Sequence, residues 1–249
     1  MAYSFDLEDP SAASPDDSDE DEETLHYKAM IPLADLLNAD ATRNNARLFQ
    51  FPAHLEMRTI RDVAQGEELL NDYGPLPRTD LLRRYGYTSA LYAPYDVVEV
   101  SMDRVVAVAT KGRDEAEVKE KVDWLLEEGV LDDSVDFERG GEVPEELCQV
   151  VKVLLQGKAE RRRVPSGRVT DEVREVVKEV VRERLQEYGT TVREDRELLK
   201  GDLGGRERDA VEVRLGEKEI LWEVLERLGG GKREAEEGAE GDGSRMRME

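Results

Sequence analysis

The sequence predicts an α+β fold, with strands gathered in its first third and helices after them. Three observations lead there. Between Arg47 and Ile60, apolar and polar residues alternate with the period of two that marks a half-buried strand. Beyond Asp114, apolar residues recur every three or four positions, the spacing of one helix face. An acidic run near the start and a Gly- and Glu-rich end bracket these regions and offer little to a core. With 249 residues, 39% hydrophobic and 38% charged, the chain has material for two small modules plus tails.

The opening MAYSF is apolar and aromatic and reads as the tail end of a packed element. Residues 6–24, DLEDPSAASPDDSDEDEET, follow it, and ten carboxylates appear before any basic side chain. Like charges mixed with Ser and Pro bury too little apolar surface to offset ordering entropy, so this stretch is expected to be a disordered insertion. The segment LADLLNADATRNN then reads as an Asn-bearing turn, in which Asn38 suits a helix C-cap or a turn because Asn tolerates left-handed backbone. Two extended pieces flank Pro52-Ala53-His54, and Leu55, Met57 and Thr59 alternate with Glu56 and Arg58; a hairpin is the simplest reading. Residues 60–68 look like a strand end and a turn, followed by Asn71-Asp72-Tyr73-Gly74 and a short helix ending in Tyr85-Gly86-Tyr87.

DVVEVSM and RVVAVAT read as the last strands, and Gly112-Arg113-Asp114 marks the change of period. A first helix places Val118, Val122, Leu125 and Leu126 on one face, with Asp114 as N-cap and Gly129 as stop. A second begins near Pro144 and carries Leu147, Val150, Val151 and Leu154. The third, after Thr170 or Asp171, carries Val173, Val177, Val180, Val181 and Leu185. The fourth runs from about Ala210 to Leu228 and contains Gly216, which weakens a helix interior by about 1 kcal/mol relative to Ala. The expected divisions are 1–24, 25–90, 91–228 and 229–249.

A formal charge of −23 argues against nucleic acid, whose phosphates need clustered Lys and Arg, and favours a basic protein partner. The single Cys148 excludes an internal disulfide, and no apolar run approaches membrane-spanning length, so cytoplasm or nucleus is expected. His26 and His54 lack ligand-spaced partners, so no metal is expected. The Lys158–Arg163 cluster reads as a solvated loop after a helix in preference to a nuclear import signal, and Gly229-Gly230-Gly231, which follows a helix, as a linker.

One ordered set of parts stands out: MIPLADLLNADATRNNARLF, then GEELLNDYGPLPRTDLLRRYGY. In order and spacing it resembles the C-terminal half of a SET domain, in the branch that contains the Rubisco large-subunit methyltransferase and fungal ribosomal-lysine methyltransferases. The resemblance implies a protein-lysine N-methyltransferase using S-adenosylmethionine, with residues 91–228 as a helical substrate-binding domain. It also implies that the chain begins inside the SET domain, since no Gly-x-Gly turn precedes Asn38. On this pattern Tyr73 is the catalytic tyrosine. Asn38, Ala39 and Tyr73 bind the cofactor, Ala39 standing where the family usually has histidine. Tyr85 and Tyr87 line the lysine channel, unless they are core aromatics at a helix end capped by Gly86. Asp35 and Asn45 match further positions and brace the turn. A hydroxyl on Tyr87 implies a monomethylated product, and the branch implies a ribosomal protein as substrate; a monomer is expected. The competing expectation is a catalytically incomplete SET fragment acting as a protein-interaction module.

The chemistry asks for residues of this kind. A free lysine, with a pKa of about 10.4, must be held neutral next to a sulfonium methyl group. A tyrosine can hydrogen-bond the amine while its ring walls a narrow apolar channel, and alignment supplies much of the rate.

Overall fold

A computed structural model describes residues 4–8, 26–157 and 164–229. Most of the expected acidic insertion (residues 9–24), the Lys158–Arg163 cluster and the tail from Gly230 lie outside the described residues. The chain divides into two compact units, one of residues 1–76 with 83–86 and one of residues 77–82 with 87–249.

The first unit is built from paired short strands. β1 (Ser4–Glu8) and β2 (His26–Met30) are antiparallel, so Asp6 to Glu8 are strand and not part of a disordered insertion. A single 3-10 turn, Ala34–Leu36, leads into β3 (Asn38–Ala39). The expected hairpin is present as β4 (Ala46–Phe51) and β5 (His54–Thr59), with Phe51 opposite His54 so that Pro52-Ala53 makes a two-residue turn. β6 (Leu70–Asn71) closes the unit by running parallel to β3. Buried Leu7 and Ala34 pack with Ala29, Ile31, Leu48, Leu55 and Met57, a small core in which Leu55 and Met57 come from alternate positions of β5 and Ala34 from the 3-10 turn.

Helix α1 (Arg78–Tyr85) gives residues 78–82 to the second unit and its last turn to the first. The second unit holds a larger core. β7 (Val97–Ser101) pairs antiparallel with β8 (Ser134–Glu138), and Val98, Val100, Val135 and Phe137 point inward from the hairpin. β8 adds a strand to a region expected to be purely helical. The run RVVAVAT is helix α2 (Met102–Ala109), not a strand. Ser101 starts it by accepting a hydrogen bond from the Asp103 N–H at 3.2 Å, and Met102, Val105 and Ala109 fall on one buried face. That face packs into the core, and packing overrides the strand preference of β-branched valines.

α3 (Glu115–Glu127) starts at Asp114, whose carboxylate accepts from Glu117 N–H, as expected, but Leu126 faces solvent and Trp124 takes its place inside. α4 (Glu145–Leu155) and α5 (Asp171–Gln186, capped by Thr170) bury the predicted valines and leucines, except Leu185, which is half-buried against the core. α6 (Val192–Leu198) is an addition, opened by a capping box in which Thr191 and Glu194 satisfy each other's backbone N–H. α7 (Gly205–Arg227) is longer than expected. Its Gly216 is no defect: a Cβ there would lie 2.6 Å from the Asp96 carboxylate, which is held beside the glycine in a buried ion pair with Arg78. A second buried lock joins Asp195, fully buried, to Lys218 Nζ at 2.6 Å and to Arg214 Nε at 3.1 Å.

Candidate active site

The candidate site lies in the first unit, where β3 and β6 bring distant pieces of chain together. Asn38 is opposite Leu70 and Ala39 opposite Asn71, and the Asp40 N–H extends the ladder to the Asn71 carbonyl at 3.0 Å. Asn38 is therefore neither helix cap nor turn, but a residue of a two-residue parallel strand.

Asn45 holds this crossing. It is fully buried, and its side chain donates to the Glu68 carbonyl at 2.8 Å and to Glu67 Oε1 at 3.3 Å while its Oδ1 accepts from Leu70 N–H at 2.8 Å. Its backbone N–H meets the Leu70 carbonyl and its carbonyl meets the Ile60 N–H, both at 2.9 Å. Burial of a primary amide is favourable only when its hydrogen bonds are met, and here both ends of the amide have partners.

Two acidic turns flank it. Partial burial raises the Asp40 carboxyl, but hydrogen bonds from Thr42 and Arg43 outweigh it and hold the pKa at about 2. Glu67 is lowered to about 2 first by Arg61, then by the Ala64 N–H at 3.1 Å. Both stay ionised as fixed acceptors at neutral pH.

Tyr73 follows a turn in which Asp72 accepts the Gly74 N–H at 3.0 Å and Gly74 takes a φ of 80°, a left-handed conformation that favours glycine. The Tyr73 hydroxyl donates to the Leu37 carbonyl at 2.9 Å, one residue before Asn38. Its ring stacks on Tyr85 with centroids 4.4 Å apart and planes inclined by 29°. Burial, then the neighbouring Tyr85 and Asp35, push the phenol above its ordinary pKa, so it remains protonated. A phenol that gives its proton to a carbonyl keeps oxygen lone pairs of acceptor character, the property needed toward an amine N–H.

Of the residues singled out by sequence, Asn38, Ala39, Tyr73 and Tyr85 come together in the first unit, with Asn45 bracing them. Tyr87 is half-buried in the second unit. Glu68 was not singled out. It accepts from Asn38 Nδ2 at 2.7 Å, and its only sequence signal was its place in the GEE triplet. Among the described residues no group of His, Cys, Asp and Glu is placed to hold a metal ion, and no helix is long and apolar enough to cross a membrane.

The second unit has a groove of about 550 Å³ with an apolar floor of Met102, Val130 and Val135 and carboxylates at Asp132, Asp136 and Glu138. Across the hairpin Asp136 is directly opposite Glu99, a like-charge pair that costs stability. Partial burial, then Glu99, Glu138 and Asp80, raise the Asp136 carboxyl.

A strand-rich unit with a buried-asparagine crossing and a stacked tyrosine pair, followed in sequence by a hairpin-and-helix unit, makes this an α+β protein of two compact units. Residues 2–74 match the SET domain family and residues 112–221 the family described as Rubisco LSMT substrate-binding. The chain thus carries, in order, a match to a SET domain and a match to a Rubisco LSMT substrate-binding domain. It is 34% identical over 175 residues to ribosomal lysine N-methyltransferase 4 of Saccharomyces cerevisiae, an alignment covering 62% of this chain and 35% of the relative. With N-lysine methyltransferase SETD6 of Mus musculus it shares 31% identity over 262 residues, 91% of this chain and 53% of the relative. It therefore spans about half the length, or less, of these curated relatives. The structure of Rubisco LSMT bound to AdoMet superposes with a TM-score of 0.58 over 87% of this chain and 55% of that one, at 19% identity, a likeness of fold.

Proposed function

We propose that this chain provides the lysine-facing part of an S-adenosylmethionine-dependent protein-lysine N-methyltransferase, with Tyr73 as the catalytic phenol. The observation that carries the reading is the Tyr73 hydroxyl fixed on the Leu37 carbonyl and backed by Tyr85, directly before the Asn38-Ala39 strand. Relatives named as lysine methyltransferases support it.

The donor set suits the amino-acid end of the cofactor. Asn38 is exposed and turns its NH₂ to Glu68, which leaves its amide oxygen as an acceptor for an ammonium group. Ala39 in place of histidine removes an imidazole while preserving backbone polar groups. When bound, S-adenosylmethionine supplies a methyl group on a positively charged sulfur. Tyr73 would accept a hydrogen bond from the neutral lysine amine and orient its lone pair, and Tyr85 would wall the channel.

The substrate we infer is a basic ribosomal protein, in cytoplasm or nucleus, with monomethyl-lysine as product. The carboxylate-lined groove in the second unit and the name of the yeast relative support a basic target. The inference of one methyl group rests on the sequence position of Tyr87, which the resemblance assigns to the lysine channel, and on its hydroxyl. The test is transfer from labelled S-adenosylmethionine to purified ribosomal proteins, read by mass spectrometry. Monomethyl-lysine lost in Tyr73→Phe is expected; undiminished transfer by Tyr73→Phe overturns the role of Tyr73, and trimethyl-lysine as the main product overturns the product assignment.

A further inference from the structure

We propose that Glu68 is a positioning residue that fixes which face of the Asn38 amide meets ligand. The inference rests on the reading that Asn38 receives the cofactor's amino-acid end. An asparagine amide is nearly symmetric in shape, and a half-turn of its terminal torsion exchanges an acceptor oxygen for a donor NH₂. On an exposed two-residue strand, steric packing does little to choose between the two. The choice decides recognition: Oδ1 attracts an ammonium group and Nδ2 repels it.

Glu68 settles the choice electrostatically. Its carboxylate lies 2.7 Å from Asn38 Nδ2, and a carboxylate only accepts, so the NH₂ must face it and Oδ1 must face away. Glu68 is itself tied down, because the buried Asn45 amide donates to its backbone carbonyl at 2.8 Å and holds neighbouring Glu67 by the side chain. The orientation therefore passes from a buried amide, through an acidic residue, to an exposed amide. Asn45 sets where the chain of residue 68 runs, and Glu68 sets which atom of Asn38 looks outward. The ligand class selected is a primary ammonium beside a carboxylate, as in an amino-acid moiety.

The experiment compares wild type, Glu68→Gln, Glu68→Ala, Asn38→Ala and the Asn38→Ala/Glu68→Ala double variant. Calorimetry measures binding of S-adenosylhomocysteine and of an analogue lacking its α-amino group. Glu68→Gln, whose amide tolerates both Asn38 orientations, is expected to weaken S-adenosylhomocysteine binding about tenfold and to leave the analogue unchanged. The double variant is expected to bind no more weakly than Asn38→Ala alone. Equal losses for both ligands, or a further loss in the double variant, overturn the proposal, the second by showing that Glu68 acts without Asn38. A ligand-free readout separates this from the function itself. In nuclear magnetic resonance spectra the Asn38 side-chain NH₂ pair should shift on Glu68→Ala, and an unmoved pair sinks the proposal even if binding is normal. Absence of any binding by wild type would overturn the cofactor reading, while the NH₂ signals still decide whether Glu68 orients the amide.

Discussion

The Tyr73 hydroxyl and the Leu37 carbonyl, 36 residues apart in sequence, meet at 2.9 Å in the first unit. This contact ties the turn that ends β6 to the residue that precedes β3. It also fixes the phenol in its protonated form, as a donor to the backbone whose oxygen can accept from an amine. Tyr73→Phe should leave the fold intact, at a cost of about 1 kcal/mol for one hydrogen bond. Methyl transfer should fall by about a hundredfold or more, since misaligned reactants lose that much. Thermal unfolding and transfer rates on the same preparation check both halves.

The acidic turns of the first unit should respond to acid in a defined window. Asp40 and Glu67 are lowered to about 2 from the usual carboxylate range near 4. Their contribution to stability is complete above that range and is lost as pH falls through about 2. Amide signals of Thr42, Arg43 and Ala64 should move over that interval. Tryptophan fluorescence should not follow them, because Trp124 and Trp222 belong to the other unit.

Asp195 and Lys218 should behave as a coupled pair. Burial raises the Asp195 carboxyl, but Arg214 and Lys218 outweigh it and bring it below the ordinary value. Asp195→Asn strands a buried ammonium and should cost about 3–5 kcal/mol. The double change Asp195→Asn/Lys218→Met should recover much of that loss in a denaturant titration.

At Gly216 the usual helix rule should reverse. Alanine gains about 1 kcal/mol over glycine in an open helix. Here its methyl would press on Asp96 at 2.6 Å and on the Arg78 guanidinium. Gly216→Ala should therefore destabilise by about 1–3 kcal/mol, the usual cost of overpacking. A small-residue partner change does not relieve it, because the obstructing atoms are an ion pair.

The cross-strand pair Glu99 and Asp136 should separate stability from binding. Replacing Asp136 by Asn removes a like-charge opposition worth about 0.2–1 kcal/mol, so the protein should become slightly more stable. The raised Asp136 carboxyl gives the same sign in pH: it favours the fold as pH falls through its folded value and disfavours it as pH rises. If the groove receives a basic substrate, the stabilised variant should have the higher KM.

How far the sequence could be read depended on how local each signal was. The β4–β5 hairpin and helices α3, α4, α5 and α7 announce themselves through periodic apolar residues and caps such as Asp114 and Thr170. Helix α2 was concealed because RVVAVAT is apolar on nearly every position and rich in β-branched residues, so neither period dominates. β8 and α6 carried signals, Val135 alternating with Phe137 and the Thr191–Glu194 box, but each is only a few residues long. The site is the opposite case. Tyr73 and Asn38 were legible as motif residues, whereas the β3–β6 pairing joins two-residue pieces without periodicity. The contact of Glu68 with Asn38 spans thirty residues and leaves no local trace.

That parallel pairing also sets an order of events during folding. Residues 46–59 form a hairpin from near neighbours, whereas Asn38 must find Leu70 after the whole intervening segment has been looped back. Loop closure is paid in full before two residue pairs and one asparagine can return anything, so contacts of this range are slow to form. The hairpin's amides should gain protection from exchange first in a refolding pulse, and the Leu70 amide last. Within the first unit, the part that positions the phenol is thus expected to assemble after the hairpin.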